Sequence, residues 1–238
     1  ISSSLAAYYF PQGDRYNPME PGAAMDRAIQ VTYPPGSTFK PITGMAALES
    51  GTMNPLNDYV NCQGRYWIAP YPYIQCTGVH GNLNYYSGMA KSCNVYFQEM
   101  ARRAGKEAMI QVAQDFGLGQ RTGIDLPYEA QGLVPTPEWK RELNALLIDR
   151  KYDQLRKQLE EKYTQLLQES SPDQARELEK KLQNEKAQLE AQYQIDYNFD
   201  TTWQPFDTFN MSIGQGANQY TVINLANYIA TIANGGDL

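Results

Sequence analysis

The sequence has 238 residues, 26 acidic and 20 basic side chains, a formal net charge of −6 and one histidine. That length can bury a sizeable core and suits one large domain, or one domain carrying an insertion, better than two unrelated ones. The acidic balance, with no Lys and Arg cluster to neutralise phosphates, excludes a nucleic-acid surface, and no run of about 18 apolar residues offers a membrane span.

The chain opens at Ile1 without a start Met, and a membrane anchor is expected outside this sequence. The first informative stretch is Tyr33-Pro34-Pro35-Gly36, a rigid, helix-breaking approach to Ser37-Thr38-Phe39-Lys40. The apolar Ile42, Met45, Ala46 and Leu48 then predict a helix near 38–50. At three-residue spacing, Ser37 and Lys40 share one helix face. A serine hydroxyl becomes a good nucleophile when a nearby base takes its proton, and a lysine can be that base once its pKa is depressed. The helix N-terminus adds N–H groups and favourable potential for a developing oxyanion. Alone, S-x-x-K occurs often by chance and favours an ordinary helix start over a nucleophile. Pro41 removes one backbone donor from its first turn.

All three cysteines (Cys62, Cys76, Cys93) and His80 fall between residues 62 and 93. They form a Cys3His set, the number and kind of ligands in a closed tetrahedral zinc site, although the spacing matches no short zinc-finger pattern. The alternatives are a Cys62–Cys76 disulfide with Cys93 buried and His80 turned to solvent, or three plain thiols. The absence of a G-x-S-x-G elbow, with His80 the single histidine, speaks against a Ser-His-Asp triad. Next, Ser92-Cys93-Asn94 offers a hydroxyl and an amide two residues apart, expected on one side of an extended loop with Cys93 pointing away. Ser92 is alternatively the cap of a helix predicted over 94–104, followed by another over 106–116.

Residues 138–200 hold 14 acidic and 11 basic side chains, 25 of the 46 in the chain. Leu155, Leu159, Tyr163 and Leu166, then Leu178, Leu182, Leu189 and Tyr193, recur at helical spacing around a break at Ser170-Ser171-Pro172-Asp173-Gln174. The pattern predicts an antiparallel helical hairpin over roughly 141–196, a solvated spacer or a docking arm. A last helix is expected over 220–233, stopped by Asn234-Gly235-Gly236.

These motifs together resemble a family. Tyr33 to Pro41 resembles the first catalytic motif of class B penicillin-binding proteins, and Ser92-Cys93-Asn94 their second. Gly123-Ile124-Asp125-Leu126-Pro127, Pro135-Thr136-Pro137-Glu138-Trp139-Lys140, Ser212-Ile213-Gly214-Gln215-Gly216 and Tyr220-Thr221 follow in the order of the elongation-type penicillin-binding protein 2 branch. The resemblance implies an α+β fold of the serine β-lactamase and D,D-transpeptidase kind, represented mainly by its helical part, with an incomplete central sheet. The expected organisation is a transpeptidase segment over 1–140, the inserted hairpin over 141–199, and the transpeptidase segment resumed over 200–238.

The implied activity is attack by Ser37 on D-Ala-D-Ala stem peptides of peptidoglycan, forming an acyl-enzyme that an amine resolves into a cross-link; β-lactams would acylate the same serine. The resemblance gives Lys40 the role of base, Ser92 that of proton relay and Asn94 that of substrate contact. No cofactor is implied for the chemistry. Some elongation-type relatives carry a metal site in the cysteine region, and a zinc there would be structural. The family also implies the outer face of the cytoplasmic membrane, with a lipid-II polymerase and rod-shape scaffold proteins as partners. The family's third motif, K-T-G or K-S-G, does not occur before the chain stops at Asp237-Leu238. Its strand is expected beyond, which leaves open the activity of this fragment by itself. Rival readings are a β-lactamase that also uses S-T-F-K, against which Asn94 and the matches at 135–140 and 212–221 speak, and a β-lactam sensor or catalytically silent cell-wall assembly domain.

Overall fold

A computed structural model of the protein describes residues 26–67 and 74–236. The first 25 residues of the expected segment 1–140, and Asp237-Leu238, lie outside the described residues. Compactness divides the chain into the described part of residues 1–134 and 206–238, and a second unit of residues 135–205.

The first unit is mostly helical. Strand β1 (Thr32–Tyr33) leads through a 3-10 turn (Gly36–Phe39) into helix α1 (Lys40–Glu49). Pro41 falls in the first turn of α1, where its missing N–H would have had no intrahelical partner, so the lost donor costs the helix nothing. Four short strands follow: β2 (Val60–Cys62), β3 (Arg65–Tyr66), β4 (Ile74–Gln75) and β5 (Gly81–Leu83). Asn84 caps the short helix α2 (Tyr85–Ala90), and its side chain accepts from Ser87 N at 3.0 Å.

Helix α3 (Asn94–Asp115) carries the core. Gly105, at φ +82°, breaks its geometry and divides it where two separate helices were expected. Val95, Tyr96, Phe97 and Met100 are buried with Ala47 of α1, Met53, Val60, Cys62 and Leu83. Burying each large side chain here contributes about 1.5–3 kcal/mol. The unit resumes with α6 (Pro205–Ser212), β6 (Tyr220–Thr221) and α7 (Val222–Ala233), where Thr221 Oγ1 caps α7 by accepting from Asn224 N at 3.2 Å.

Among the described residues the strands form three two-stranded antiparallel ribbons, β1–β6, β2–β5 and β3–β4. Thr32 pairs with Thr221 and Tyr33 with Tyr220, so the ends of this unit meet just ahead of Ser37. The architecture is the α+β fragment the resemblance implied, with its sheet content reduced to short pairs.

The second unit is a pair of long helices, α4 (Pro137–Gln168) and α5 (Pro172–Thr201). At about 1.5 Å per residue each runs to roughly 45 Å or more. Both outrun the expected 141–196. Thr136 Oγ1 accepts from Trp139 N at 3.1 Å and Pro137 opens the helix, a start signal that the family motif at 135–140 had masked. At the break, Ser171 N donates to Gln174 Oε1 at 3.1 Å, and Pro172 stands in the first turn.

The seam between the two helices is only partly apolar. Ile148, Tyr152 and Tyr163 are buried, whereas Leu166, expected in the apolar row, is 42% exposed and Leu167 is the half-buried residue at that level. Tyrosine hydroxyls donate to carboxylates across the seam, Tyr152 to Asp196 and Tyr163 to Glu185 at 2.7 Å each, and Tyr193 to Asp149 at 2.8 Å. Lys151–Asp196, Arg156–Glu190, Lys162–Glu185 and Lys186–Glu160 add ion pairs at 2.8–3.1 Å. No helix of the described residues is long and apolar enough to cross a membrane.

Candidate active site

Four side chains singled out by their sequence motifs meet at the start of α1. Ser37 lies exposed in the 3-10 turn; Lys40, one turn on, is buried to 1% exposure. Lys40 Nζ lies 3.2 Å from Ser37 Oγ, 2.6 Å from the Ser92 carbonyl, 2.9 Å from Ser92 Oγ and 2.7 Å from Asn94 Oδ1. Ser92 Oγ is 2.9 Å from Ser37 Oγ, so the two hydroxyls and the amine form a closed triangle.

The second motif gets there by a different route from the extended loop expected. Ser92 takes the left-handed conformation, φ +48°, which is strained for a residue with a side chain and concentrates at functional positions. Asn94 is the first residue of α3. The cap of α3 is Cys93, whose Sγ accepts from Tyr96 N at 3.4 Å, and this leaves the Ser92 hydroxyl for Ser37.

Burial holds the Lys40 amine below its ordinary value, because a buried cation loses hydration; negative charge at Cys76 and Cys93 opposes that shift. A neutral amine donates two N–H groups and accepts one, and the two carbonyl oxygens, which can only accept, take the donated pair. The lone pair is then free for the Ser37 hydroxyl.

The turn that presents Ser37 is fastened from the far end of the chain. Gly36 N donates to the Gly214 carbonyl at 2.9 Å, Thr43 Oγ1 to the Ser212 carbonyl at 2.8 Å, and Tyr228 Oη to the Thr38 carbonyl at 2.8 Å. Gly214 sits at φ +68°, and a Cβ there would come to 2.1 Å from the Gly36 carbonyl oxygen. The S-I-G-Q-G match was visible in the sequence; that its Gly214 abuts the turn carrying Ser37 was not. Tyr228 carried no signal beyond its helix.

The cysteines and His80 form a second cluster. Pairing of Cys62 with Gly81 across β2–β5 brings His80 beside Cys62, and His80 N donates to the Cys62 carbonyl at 3.1 Å. The three cysteines are free, and His80 turns inward, not to solvent: its Nδ1 lies 3.5 Å from Cys62 Sγ and 3.6 Å from Cys76 Sγ, with Cys76 and Cys93 Sγ 3.8 Å apart. All four candidate ligand atoms fall within 4.8 Å of one another. Burial alone would raise the Cys76 thiol, yet N–H groups of Val95, Gly78 and Asn94 outweigh it and draw the pKa down; burial pushes Cys93 the other way. Cys93 joins the two clusters through the backbone, flanked by Ser92 and Asn94.

A helical α+β scaffold that buries a lysine one turn behind an exposed serine defines a class, and residues 2–238 match the penicillin binding protein transpeptidase domain family. The chain belongs to that family. Within it the likeness is to the penicillin-binding protein 2 type. The peptidoglycan D,D-transpeptidase MrdA of Acinetobacter baumannii is 39% identical over 125 residues, 48% of this chain and 17% of that protein. Stage V sporulation protein D of Bacillus subtilis is 41% identical over 105 residues, 43% of this chain and 16% of that protein. Crystalline PBP2 of Pseudomonas aeruginosa, in complex with WCK 5153, superposes with a TM-score of 0.63 at 25% identity, over 98% of this chain and 40% of that one. PBP2 of Helicobacter pylori shares the fold, with a TM-score of 0.62 at 23% identity over 96% of this chain and 32% of that one. The chain thus spans well under half the length of these relatives.

Proposed function

We propose that this chain is the acyl-transfer part of a peptidoglycan D,D-transpeptidase, with Ser37 as nucleophile, Lys40 as base, Ser92 as proton relay and Asn94 as a contact for the substrate backbone. The observation that carries the reading is the closed triangle of Ser37 Oγ, Ser92 Oγ and a buried Lys40 Nζ. Ser37 Oγ attacks the carbonyl of the penultimate D-Ala while its proton passes to Lys40 Nζ, so an O–C bond forms. The C–N bond to the terminal D-Ala then breaks, and the proton travels from Lys40 through Ser92 Oγ to the departing nitrogen. An amine of a second stem reverses the sequence and receives the acyl group. A β-lactam follows the first half, but its leaving nitrogen stays tethered to the acyl group. The chemistry uses no cofactor. Intact-mass measurement of the full-length protein after incubation with penicillin tests the assignment: one covalent adduct is expected, absent in Ser37→Ala. An unmodified wild type would favour the silent-domain reading.

Cys62, Cys76, His80 and Cys93 are proposed to hold a structural zinc ion. Tetrahedral zinc with its usual bond lengths to sulfur and nitrogen places two sulfurs about 3.8 Å apart and a sulfur and nitrogen about 3.6 Å apart; Cys76–Cys93, Cys62–His80 and Cys76–His80, at 3.8, 3.5 and 3.6 Å, match those edges, and the full set of four lies within 4.8 Å. An ion at this place would fix the segment behind Ser92 without entering the reaction. One zinc per chain by elemental analysis is expected, lost in Cys76→Ser. The proposed setting is the outer face of the cytoplasmic membrane, with peptidoglycan stems and β-lactams as ligands and a lipid-II polymerase and rod-shape scaffold proteins as partners. A solved structure similar to this chain is a complex between PBP2 and MreC of Helicobacter pylori. The arrangement 1–140, 141–199 and 200–238 stands as the proposed organisation, with the hairpin as an addition to the transpeptidase unit.

A further inference from the structure

The β3–β4 ribbon pairs Arg65 with Gln75 and Tyr66 with Ile74, and a two-stranded ribbon of this size has little stability of its own. Beside the Cys76 thiol, which follows the ribbon and meets the N–H groups that open α3, two side-chain hydrogen bonds fasten it to that helix. Tyr66 Oη donates to Glu99 Oε2 at 2.5 Å, and Asn94 Nδ2 donates to the Gln75 carbonyl at 3.4 Å. Glu99 is itself immobilised: Arg102 engages both its oxygens, at 2.9 and 2.8 Å, and Arg103 Nε reaches Oε1 at 2.8 Å. The Tyr66 ring also packs edge-on against Phe209, with centroids 5.7 Å apart.

The second fastening decides which way the Asn94 amide faces. With Nδ2 on the Gln75 carbonyl, Oδ1 is the end that meets Lys40 Nζ at 2.7 Å. The flipped amide would set its N–H groups against the amine and its oxygen against a carbonyl, losing both bonds. We infer that the Tyr66–Glu99 clasp is a positioning device for the proposed acyl transfer: it holds the ribbon so that the Gln75 carbonyl keeps Asn94 Oδ1 turned toward Lys40. Neither Tyr66 nor Glu99 touches the reacting atoms; both act through Gln75 and Asn94. The inference rests on the acyl-transfer reading above.

A double-mutant cycle in the full-length protein carrying this chain tests it, with the second-order rate of acylation by a fluorescent penicillin as readout and melting temperature measured alongside. Tyr66→Phe keeps the ring and removes one hydroxyl, and is expected to slow acylation about tenfold. In an Asn94→Ala background the same change is expected to have no further effect, because the group it positions is gone. Glu99→Gln, which weakens the clasp from the helix side, should give the same pattern. An unchanged rate in Tyr66→Phe overturns the inference. So does an equal slowing with and without Asn94, which would mark general loosening of the fold. A wild type that takes up no penicillin overturns the acyl-transfer reading and this inference with it.

Discussion

Two polar networks in this molecule use the same side-chain chemistry to opposite ends. Around Lys40 one amine, 1% exposed, is surrounded by four oxygens from Ser37, Ser92 and Asn94. Along the hairpin seam many pairs of Lys or Arg with a carboxylate lie half in water; Lys186 and Glu160, for instance, are 41% and 61% exposed. Burial makes the difference. In the first network desolvation disfavours the charged amine, which is the condition the proposed base requires. In the second, solvent screens each pair, which sets register along two long helices and little more.

The contrast should be largest at its buried end. Lys40→Ala is expected to lower the rate of acylation by about a thousandfold or more while the chain still folds, since a positioned base supplies about 10²–10⁴-fold. Next comes Gly214→Ala, where a Cβ 2.1 Å from the Gly36 carbonyl and a φ of +68° cannot both be accommodated. A loss of about 3 kcal/mol or more in denaturant unfolding of the transpeptidase unit is expected, with the hairpin's helicity unchanged.

Glu99 sharpens the comparison by pH. Burial alone would raise its carboxyl, but hydrogen bonds from Arg102, Tyr66 and Arg103 hold it at about 2, against an ordinary 4.5. Because the folded value is depressed, its contribution to stability is complete above the ordinary value and is lost as pH falls from there through the folded one. Wild type should therefore lose more melting temperature than Glu99→Gln across that interval. The smallest effect is expected in the hairpin, where Lys186→Ala should cost no more than about 0.5 kcal/mol, within the range of exposed pairs. A larger loss there would show that the seam is not mere register.

The sequence made the candidate site easier to read than the scaffold. Ser37, Lys40, Ser92 and Asn94 were nominated by two short motifs, and the cysteines and His80 by their confinement to one stretch. Local signals of this kind survive without an alignment because each motif sits on a few adjacent residues. What escaped depends on distant contacts. The Gly36–Gly214 approach, the Tyr228 hydroxyl on Thr38 and the Tyr66–Glu99 clasp join residues between 33 and 190 positions apart, and no periodicity announces them. Ser92 was read as part of an extended loop because nothing local declares a left-handed serine, and the cap of α3 went to Ser92 because serine caps more often than cysteine. The six two- or three-residue strands among the described residues were too short for any alternation to show.

The account turns on a Lys40 that is uncharged when Ser37 attacks, and the pH dependence of acylation tests that most directly. Between the depressed value and 10.5 the folded protein should carry a neutral amine, so the second-order rate of acylation should rise with pH, inflect clearly below 10.5 and level off. A rate that is flat with pH, or that inflects at the ordinary lysine value, would contradict it.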